Sequence, residues 1–374
     1  MIINRFADNY FMSGIKDRKR QLFFTTNLLS WNTLENRRVM PWKGEKDPYK
    51  IWLSEIILQQ TRVEQGLAYY NNFIKTYPTV KKLAAAPEKD VFKLWEGLGY
   101  YSRCKNLLAT AAYIANDCNG KFPSEYELIL DLKGIGPYTA AAIGSFAFNL
   151  PYAVVDGNVI RVLARFFGIS LSSLSPEGKK TFANLAQTLL DKDQPGKYNQ
   201  AIMDFGATIC KPMLPLCSQC VMRSQCVAFK QDAIQEYPLK IKKAAKKQRW
   251  FYYVLAEYNG SFLVRKRSGK DIWQNLHEFI LTESTADASA EELLAALFGQ
   301  HFPMQQYQVR DISKGYRQEL THQTIRGCFI HIVSTKQLKL DGYYPEKKST
   351  LKKLAFPKFI TQYFVEKNLD FVTN

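Results

Sequence analysis

Four cysteines lie within seventeen residues near the middle of the chain, at Cys210, Cys217, Cys220 and Cys226, with six, two and five residues between them. So tight a group can form disulfides, bind zinc or hold an iron-sulfur cluster. Length and composition exclude disulfides, because 374 residues can bury a core without covalent links and the cysteine count is odd at seven. No segment has the pattern of a signal peptide or a membrane span, so we expect a cytoplasmic protein whose clustered thiols hold metal.

Two carboxylates stand in unusual surroundings. Glu55 is the one charged residue in the stretch IWLSEIIL, and burial there raises the pKa of a carboxyl, which makes it a proton donor at neutral pH. Asp156, in VVDGNVIRVL, follows an apolar run and precedes a predicted amphipathic helix. On its own, this aspartate is an ordinary helix N-cap.

The charge balance points to a polyanionic partner. Lysine and arginine exceed aspartate and glutamate by 17, and the pI is about 9.4. Nucleic acid is the most common partner of so basic a chain, although solvation of the surface alone can also account for such an excess.

A hairpin of the type that binds phosphate precedes Asp156. In LKGIGPYTAAAI, Gly134 and Gly136 permit a tight turn, and Pro137 suits the first position of the next helix. Backbone N–H groups of such a turn and the helix N-terminus can face one anionic oxygen. An ordinary turn between two helices has the same pattern.

The elements around these residues predict two folded parts. Residues 21–232 read as short helices, including one pattern over DPYKIWLSEIILQQTRVEQGLAYYNNFIKTY and a short helix in SEYELILDL with Ser124 as its N-cap. Residues 1–20 are a predicted extension and residues 233–249 a basic linker. Residues 250–367 predict an α+β domain with a hairpin at Asn259-Gly260, a helix in SAEELLAALFG and a strand in IRGCFIHIVST.

Five ordered motifs, together with the cysteines, carry a family resemblance. They are PWKGEKDPYKIWLSEIILQQT, LWEGLGYYSRCKNL, LKGIGPYTAAAI, VVDGNVIRVL and NQAIMDFGATIC. On these motifs the chain resembles the helix-hairpin-helix DNA glycosylases of the endonuclease III superfamily, and among them the adenine glycosylases. The implied fold is a mainly α N-terminal region with an iron-sulfur loop, followed by a Nudix-like α+β domain.

The resemblance assigns roles to the residues that could do chemistry. Cys210, Cys217, Cys220 and Cys226 match the ligands of a [4Fe-4S] cluster, with Lys211 and Arg223 nearby for DNA phosphates. Glu55 matches the general acid that protonates adenine, and Asp156 matches the carboxylate that stabilises the cationic sugar, with Asn158 as its polar neighbour. Tyr138 stands where the bifunctional members carry a Schiff-base lysine, which implies base removal without strand cleavage.

Other matched residues concern DNA binding. Gln60 and Tyr100 match residues that wedge into the duplex beside the partner base, and Gln200 matches a contact to the extruded adenine. Lys43 replaces the usual arginine after Pro-Trp, and Lys133 replaces the usual proline before Gly134, which with Gly136 forms the hairpin.

The tail resembles a Nudix-like domain chiefly in FLVRKRSGKDIWQNLHEFIL. It lacks the glutamate-rich R-E-x-x-E-E helix that a Nudix hydrolase needs for magnesium, so we expect no nucleotide hydrolysis. In the family this domain recognises 8-oxoguanine through a loop with a Phe-Ser-His pattern. Leu320, Thr321 and His322 occupy the matching stretch, and the alternative is a plain β-turn.

The expected protein is therefore a monomeric DNA glycosylase that removes adenine opposite 8-oxoguanine or guanine in duplex DNA, with no membrane partner. Two alternatives remain at this stage. One is an endonuclease III-like lyase acting on oxidised pyrimidines, which Tyr138 and the tail disfavour. The other is a non-catalytic DNA-binding iron-sulfur protein, which the pair Glu55 and Asp156 disfavours.

Overall fold

The computed structural model of the protein describes residues 17–239, 245–298 and 306–369. Residues 1–16 of the predicted extension and residues 240–244 of the predicted linker lie outside this range. The chain forms two compact units, one of residues 1–84 and 109–242 and the other of residues 85–108 and 243–374. In the described part of the chain, no helix is both long and apolar enough to cross a membrane.

The first unit is helical, as predicted. Its helices, together with α6, which begins in the second unit's segment, are α1 (Arg18–Leu34), α2 (Pro48–Leu58), α3 (Val63–Thr76), α4 (Val80–Ala84), α6 (Ser102–Asn116), α7 (Tyr126–Leu130), α8 (Pro137–Phe148), α9 (Gly157–Phe167), α10 (Pro176–Leu189), α11 (Pro195–Thr208) and α12 (Val227–Lys230). One buried cluster, which includes Phe24, Val162, Phe166, Phe182 and Phe205, packs α1, α9, α10 and α11 together with α8.

Local sequence explains where the helices near the pocket begin. The Asp47 carboxylate accepts a hydrogen bond from the Tyr49 N–H, and Pro48 occupies the first turn of α2. Helix α8 likewise starts with Pro137 after Gly136. These caps fix the starts of the two helices that carry Glu55 and Tyr138.

Two predictions about helix bounds are wrong. The long pattern from Asp47 to Tyr77 forms two helices, because the chain turns after α2 and Gln60 takes a left-handed conformation with φ of 56°. Helix α7 begins only at Tyr126, with Glu125 rather than Ser124 at its N-cap position. A periodic apolar pattern continues through a turn when both helices bury the same kind of face, so periodicity could not locate this break.

The second unit contains a mixed sheet with helices. Its helices are α5 (Glu88–Leu94), α13 (Ala290–Phe298), α14 (Lys348–Leu351) and α15 (Lys358–Glu366). The strands within its described residues are β1 (Lys247–Tyr258), β2 (Ser261–Lys266), β3 (His277–Glu278), β4 (Ile280–Ser284), β5 (Tyr307–Ile312), β6 (Tyr316–Glu319), β7 (Gln323–Gly327), β8 (Phe329–Ser334) and β9 (Tyr344–Lys347).

Strand β1 is the centre of this sheet. It pairs antiparallel with β2 and β4, and parallel first with β7 and then with β8. Strands β5, β6 and β9 pair antiparallel with β8, β7 and β2. The predicted hairpin is confirmed, since Tyr258 pairs with Ser261 across Asn259 and Gly260, both at positive φ.

Three features differ from the sequence expectations. The stretch IRGCFIHIVST forms the end of β7 and all of β8 rather than one strand, with Cys328 between them. Strand β1 begins at Lys247, inside the predicted linker. Residues 85–108 belong to the same compact unit as the tail, although their motif falls within the predicted glycosylase region.

Direct contacts explain why residues 85–108 join the second unit. The Glu96 carboxylate accepts a hydrogen bond from the Phe356 N–H at 2.8 Å and pairs with the Lys93 ammonium at 2.7 Å. Lys93 also donates to the Leu354 carbonyl oxygen at 3.1 Å. Partners more than 250 residues apart in sequence cannot be recognised from the local pattern.

Candidate active site and cysteine loop

A pocket of about 750 Å³ in the first unit brings together seven of the predicted site residues. Helix α2 supplies Glu55, α8 supplies Tyr138, and the start of α9 supplies Asp156 and Asn158. The remaining predicted residues on its lining are Lys43, Gln60 and Gln200. Residues more than 140 positions apart in sequence thus share one concave surface.

Glu55 is buried on this surface, with 8% of its surface exposed. The pKa of its carboxyl is raised to about 7, with burial as the main cause. The Tyr138 hydroxyl partly opposes this increase, and the negative charge of Asp156 adds to it. Near neutral pH the carboxyl is therefore protonated in a large fraction of molecules. A group of this kind can donate a proton to a bound molecule and later accept one.

Asp156 has a different environment, because donors surround its carboxylate. Oδ1 accepts a hydrogen bond from the Val159 N–H at 2.7 Å, which caps α9, and Oδ2 accepts one from the Asn158 amide at 2.7 Å. The helix N-terminus adds a positive partial charge at the same place. The residue is thus both an N-cap and a charged wall of the pocket, so the two readings of its sequence context do not exclude each other.

Tyr138 lines the same pocket as these two carboxyl groups. Its hydroxyl is 3.6 Å from the Met203 sulfur and also interacts with Glu55. Burial, followed by the nearby charges of Glu55 and Asp156, raises the pKa of Tyr138 well above its usual value. The hydroxyl therefore stays neutral, and a phenol, unlike a primary amine, cannot form a Schiff base.

A buried carboxylate that was not predicted from the sequence lies one helical turn after Gln200 on α11. Asp204 has no exposed surface and pairs with the Arg38 guanidinium at 3.0 Å and the Lys43 ammonium at 2.9 Å. It also accepts a hydrogen bond from the Gln200 amide at 3.0 Å. The spacing of Gln200 and Asp204 by four residues on α11 places both on one helix face, and this was the signal available in the sequence.

The Gly134 hairpin follows the predicted geometry. Gly134 takes a left-handed conformation with φ of 81°, and the turn closes with a hydrogen bond from the Ile135 N–H to the Leu132 carbonyl oxygen. Lys133 is exposed at the tip, and its carbonyl oxygen accepts a bond from the Thr110 hydroxyl. Lys133, Gly134 and Gly136 are not on the lining of the pocket described above.

The four clustered cysteines share a second, small cavity. Cys210, Cys217, Cys220 and Cys226 all line it, together with Arg165 and Arg223. The pKa of Cys220 is raised to about 12 and that of Cys226 to about 11, mainly by burial and in part by the neighbouring thiols. In the described residues, no three histidine, cysteine or acidic side chains converge as ligands of a single ion.

Helix α9 connects the pocket to the cysteine loop through two buried arginines. Arg161 donates to the Asn158 amide oxygen at 2.8 Å and to the Cys210 carbonyl oxygen at 2.8 Å. Arg165, one turn later, donates to the Lys211 carbonyl oxygen at 2.7 Å and lies 3.5 Å from the Cys210 sulfur. Four cysteine sulfurs around one small cavity, with an arginine beside one of them, are a donor set that suits an iron-sulfur cluster.

Close helix packing at the pocket requires a small residue at Gly206 on α11. A Cβ atom there would lie 2.7 Å from the Asn158 Cβ. The Gly206 carbonyl oxygen also accepts a bond from Arg161 at 2.6 Å. This approach keeps Asn158 in place against Asp156.

Of the predicted partner-base residues, Gln60 lines the pocket of the first unit, whereas Tyr100, Leu320, Thr321 and His322 lie in the second unit. Tyr100 is exposed at φ of 48°, with the Arg103 guanidinium 5.5 Å from its ring centre. Its hydroxyl is 2.6 Å from the Thr321 hydroxyl oxygen. Leu320, Thr321 and His322 form the turn between β6 and β7, and Thr321 and His322 are exposed there.

Comparisons with known proteins agree with this fold. The sequence model of the HhH-GPD superfamily of base excision DNA repair proteins matches residues 53–188. The adenine DNA glycosylase of Buchnera aphidicola subsp. Acyrthosiphon pisum (strain APS) is 36% identical over 256 residues, which cover 68% of this chain and 73% of the relative. The adenine DNA glycosylase of Arabidopsis thaliana is 33% identical over 348 residues, which cover 82% of this chain and 54% of the relative.

A solved structure of a thermostable thymine-DNA glycosylase superposes with a TM-score of 0.52 at 31% identity, over 57% of this chain and 98% of that chain. The helix-hairpin-helix fold, the carboxyl pair and the superfamily match define a base excision repair glycosylase. Within that class, the chain belongs to the adenine DNA glycosylase family.

The burial of Glu55 predicts a dependence of stability on pH. Because the folded pKa of about 7 exceeds the unfolded value of 4.5, the stability present below pH 4.5 is lost as pH rises through 7, by roughly 3 kcal/mol. Glu55→Gln removes this loss. In urea unfolding, the free energy of unfolding of the variant minus that of the wild type should therefore be about 1 to 3 kcal/mol larger at pH 8 than at pH 4.5. The exposed Glu125→Gln is the control. A difference that does not change with pH would contradict the prediction.

Proposed function

We propose that this chain is a monofunctional glycosylase that hydrolyses the N-glycosidic bond of adenine mispaired with 8-oxoguanine or guanine in duplex DNA. The observation that carries the proposal is the pair of carboxyl groups in one pocket, Glu55 buried with its pKa raised to about 7 and Asp156 held by hydrogen-bond donors. Two carboxyl groups in such different environments divide acid and electrostatic roles on a glycosidic bond.

The proposed reaction has two steps. Glu55 donates its proton to N7 of the extruded adenine, the C1′–N9 bond breaks, and its electron pair leaves with the neutral base. The Asp156 carboxylate stabilises the positive charge that develops on the sugar. Water then bonds to C1′ and gives a proton to Glu55, which restores the acid and leaves an abasic site.

Tyr138 supports the monofunctional outcome. Strand cleavage by an imine mechanism needs a primary amine at C1′. The side chain on the pocket wall at this position is a neutral phenol. Its hydroxyl can orient the Glu55 carboxyl, but it cannot form a Schiff base.

We also propose that Cys210, Cys217, Cys220 and Cys226 hold a [4Fe-4S] cluster. Their shared cavity and the arginine beside Cys210 support this donor set. When bound, the cluster would organise the loop, whose residues Lys211 and Arg223 supply positive charge toward DNA phosphates. The chain itself holds the loop to α9 through Arg165.

For the partner base, the second unit offers a hydroxyl and an imidazole on one exposed turn. 8-Oxoguanine differs from guanine by an N7–H donor and an O8 acceptor, and a hydroxyl can both accept and donate. The contact between Tyr100 and Thr321 supports the proposal that the segment 85–108 and this turn act together. We propose that the protein acts as a monomer on DNA in the cytoplasm.

The excision prediction tests the central assignment. Glu55→Gln and Asp156→Asn should each lower the single-turnover rate on an adenine:8-oxoguanine duplex by at least about 100-fold, because each removes transition-state stabilisation. Duplex affinity should remain, and Glu125→Gln should excise like the wild type. The wild-type product should be an abasic strand that breaks only after alkali. Near-native rates in either variant, or abundant borohydride trapping of the wild type, would contradict the proposal.

The cluster prediction uses the full protein as purified. We expect roughly four iron and four inorganic sulfide per chain. Cys220→Ala should lose iron and DNA affinity, whereas Cys118→Ala, which lies outside the loop, should keep both. Stoichiometric zinc without iron in freshly isolated protein would show that the cysteines hold a different metal.

The partner-base prediction concerns the exposed turn. Replacing Thr321 and His322 together with alanine should reduce the preference for 8-oxoguanine over guanine about 10-fold, since a good base contact contributes roughly 1 to 3 kcal/mol. The comparison is made by single-turnover excision and duplex affinity on both mispairs. Thr285→Ala, at another exposed threonine of this unit, is the control. An unchanged preference in the double variant would exclude the turn from recognition.

A further inference from the structure

The buried carboxylate of Asp204 accepts four hydrogen bonds. Its oxygens accept from the amides of Asn36 at 2.9 Å and Gln200 at 3.0 Å, from Arg38 at 3.0 Å and from Lys43 at 2.9 Å. Two of these donors are cations, so the carboxylate is compensated despite having no exposed surface. Three of the donors, Arg38, Lys43 and Gln200, line the pocket with Glu55.

This arrangement fixes the direction of the Gln200 amide. An ionised carboxylate can only accept hydrogen bonds, so it must face the amide nitrogen of Gln200 and not the amide oxygen. The oxygen is then directed away from Asp204, on a residue that lines the pocket. Without the carboxylate, an amide can turn over and present its nitrogen instead.

The direction of the amide matters for the identity of the bound base. Adenine carries a donor at its six-position amino group, whereas guanine and hypoxanthine carry an acceptor oxygen there. An amide oxygen in the pocket accepts a hydrogen bond from the 6-amino group of adenine and repels the 6-oxo group of guanine or hypoxanthine. A buried polar group left unpaired by the wrong base disfavours that base strongly.

We infer that Asp204 is a positioning residue for base specificity, which holds the Gln200 amide so that the pocket accepts a 6-amino purine and rejects a 6-oxo purine. This inference rests on the proposed function. It assigns Asp204 no contact with the substrate. Arg38 and Lys43 support this role by pairing with Asp204. Their positive charges compensate the buried carboxylate, which would be costly to bury alone.

The test is single-turnover excision by the full-length holoenzyme on duplexes that carry adenine or hypoxanthine opposite 8-oxoguanine. In the wild type, the rate ratio of adenine to hypoxanthine is the reference. Asp204→Asn keeps the shape but can face either end of the Gln200 amide, so the ratio should fall about 10-fold or more. A residue with a purely structural role would lower both rates together and leave the ratio unchanged, which would overturn the inference.

A double-mutant cycle shows whether Asp204 acts through Gln200. Gln200→Ala alone should lower the same ratio, and adding Asp204→Asn should lower it no further. A further, independent loss in the double variant would overturn the inference. A wild-type ratio of adenine to hypoxanthine excision in Gln200→Ala would also overturn the inference. This test remains valid even if Asp204→Asn does not fold.

Two controls separate the possible failures. Asp117→Asn replaces an exposed aspartate at the end of α6 and should keep the wild-type ratio and thermal midpoint. If the wild type excises no adenine, the proposed function itself is wrong. If it excises adenine with a preference that Asp204→Asn retains, the function stands and the role of Asp204 is wrong.

Discussion

The burial of one carboxyl group, that of Glu55, is the constraint on which the site depends. Water would stabilise the ionised form of this group. Exclusion of water is the main reason that the pKa of Glu55 is raised to about 7. The negative charge of Asp156 contributes to this raised pKa, while donors from Val159 and Asn158 satisfy the Asp156 oxygens. Ionisation of Glu55 among the apolar residues of α2 therefore destabilises the folded protein above neutral pH. The same burial makes this carboxyl a proton donor.

Helix α9 is the element that carries this constraint into the rest of the unit. Its N-terminus is capped by Asp156, its second residue, Asn158, donates to that carboxylate, and Arg161 and Arg165 bind the cysteine loop one and two turns later. Val162 and Phe166, which directly follow these arginines in sequence, pack into the hydrophobic core. One amphipathic helix therefore serves the pocket, the loop and the hydrophobic core.

The sequence was sufficient for the features that depend on local pattern. The hairpin at Gly134, the turn at Asn259-Gly260, the helix start at Pro137 and the unusual setting of Glu55 all follow from neighbouring residues. Features that depend on distant partners were missed. Asp204 is unremarkable beside its neighbours in sequence, because its meaning comes from Arg38 and Lys43 about 160 residues earlier. The placement of residues 85–108 with the tail depends likewise on bonds from Lys93 and Glu96 to Leu354 and Phe356.

The pH dependence of single-turnover excision, measured with saturating enzyme on an adenine:8-oxoguanine duplex, tests the central claim most directly. If the protonated Glu55 carboxyl is the acid, the rate should be nearly level below its pKa of about 7 and fall about tenfold per pH unit above it. The alkaline limb belongs to the acid form, because only that form has a proton to give. A rate that stays level up to about pH 9 would contradict the account, since an ionised Glu55 cannot protonate the base.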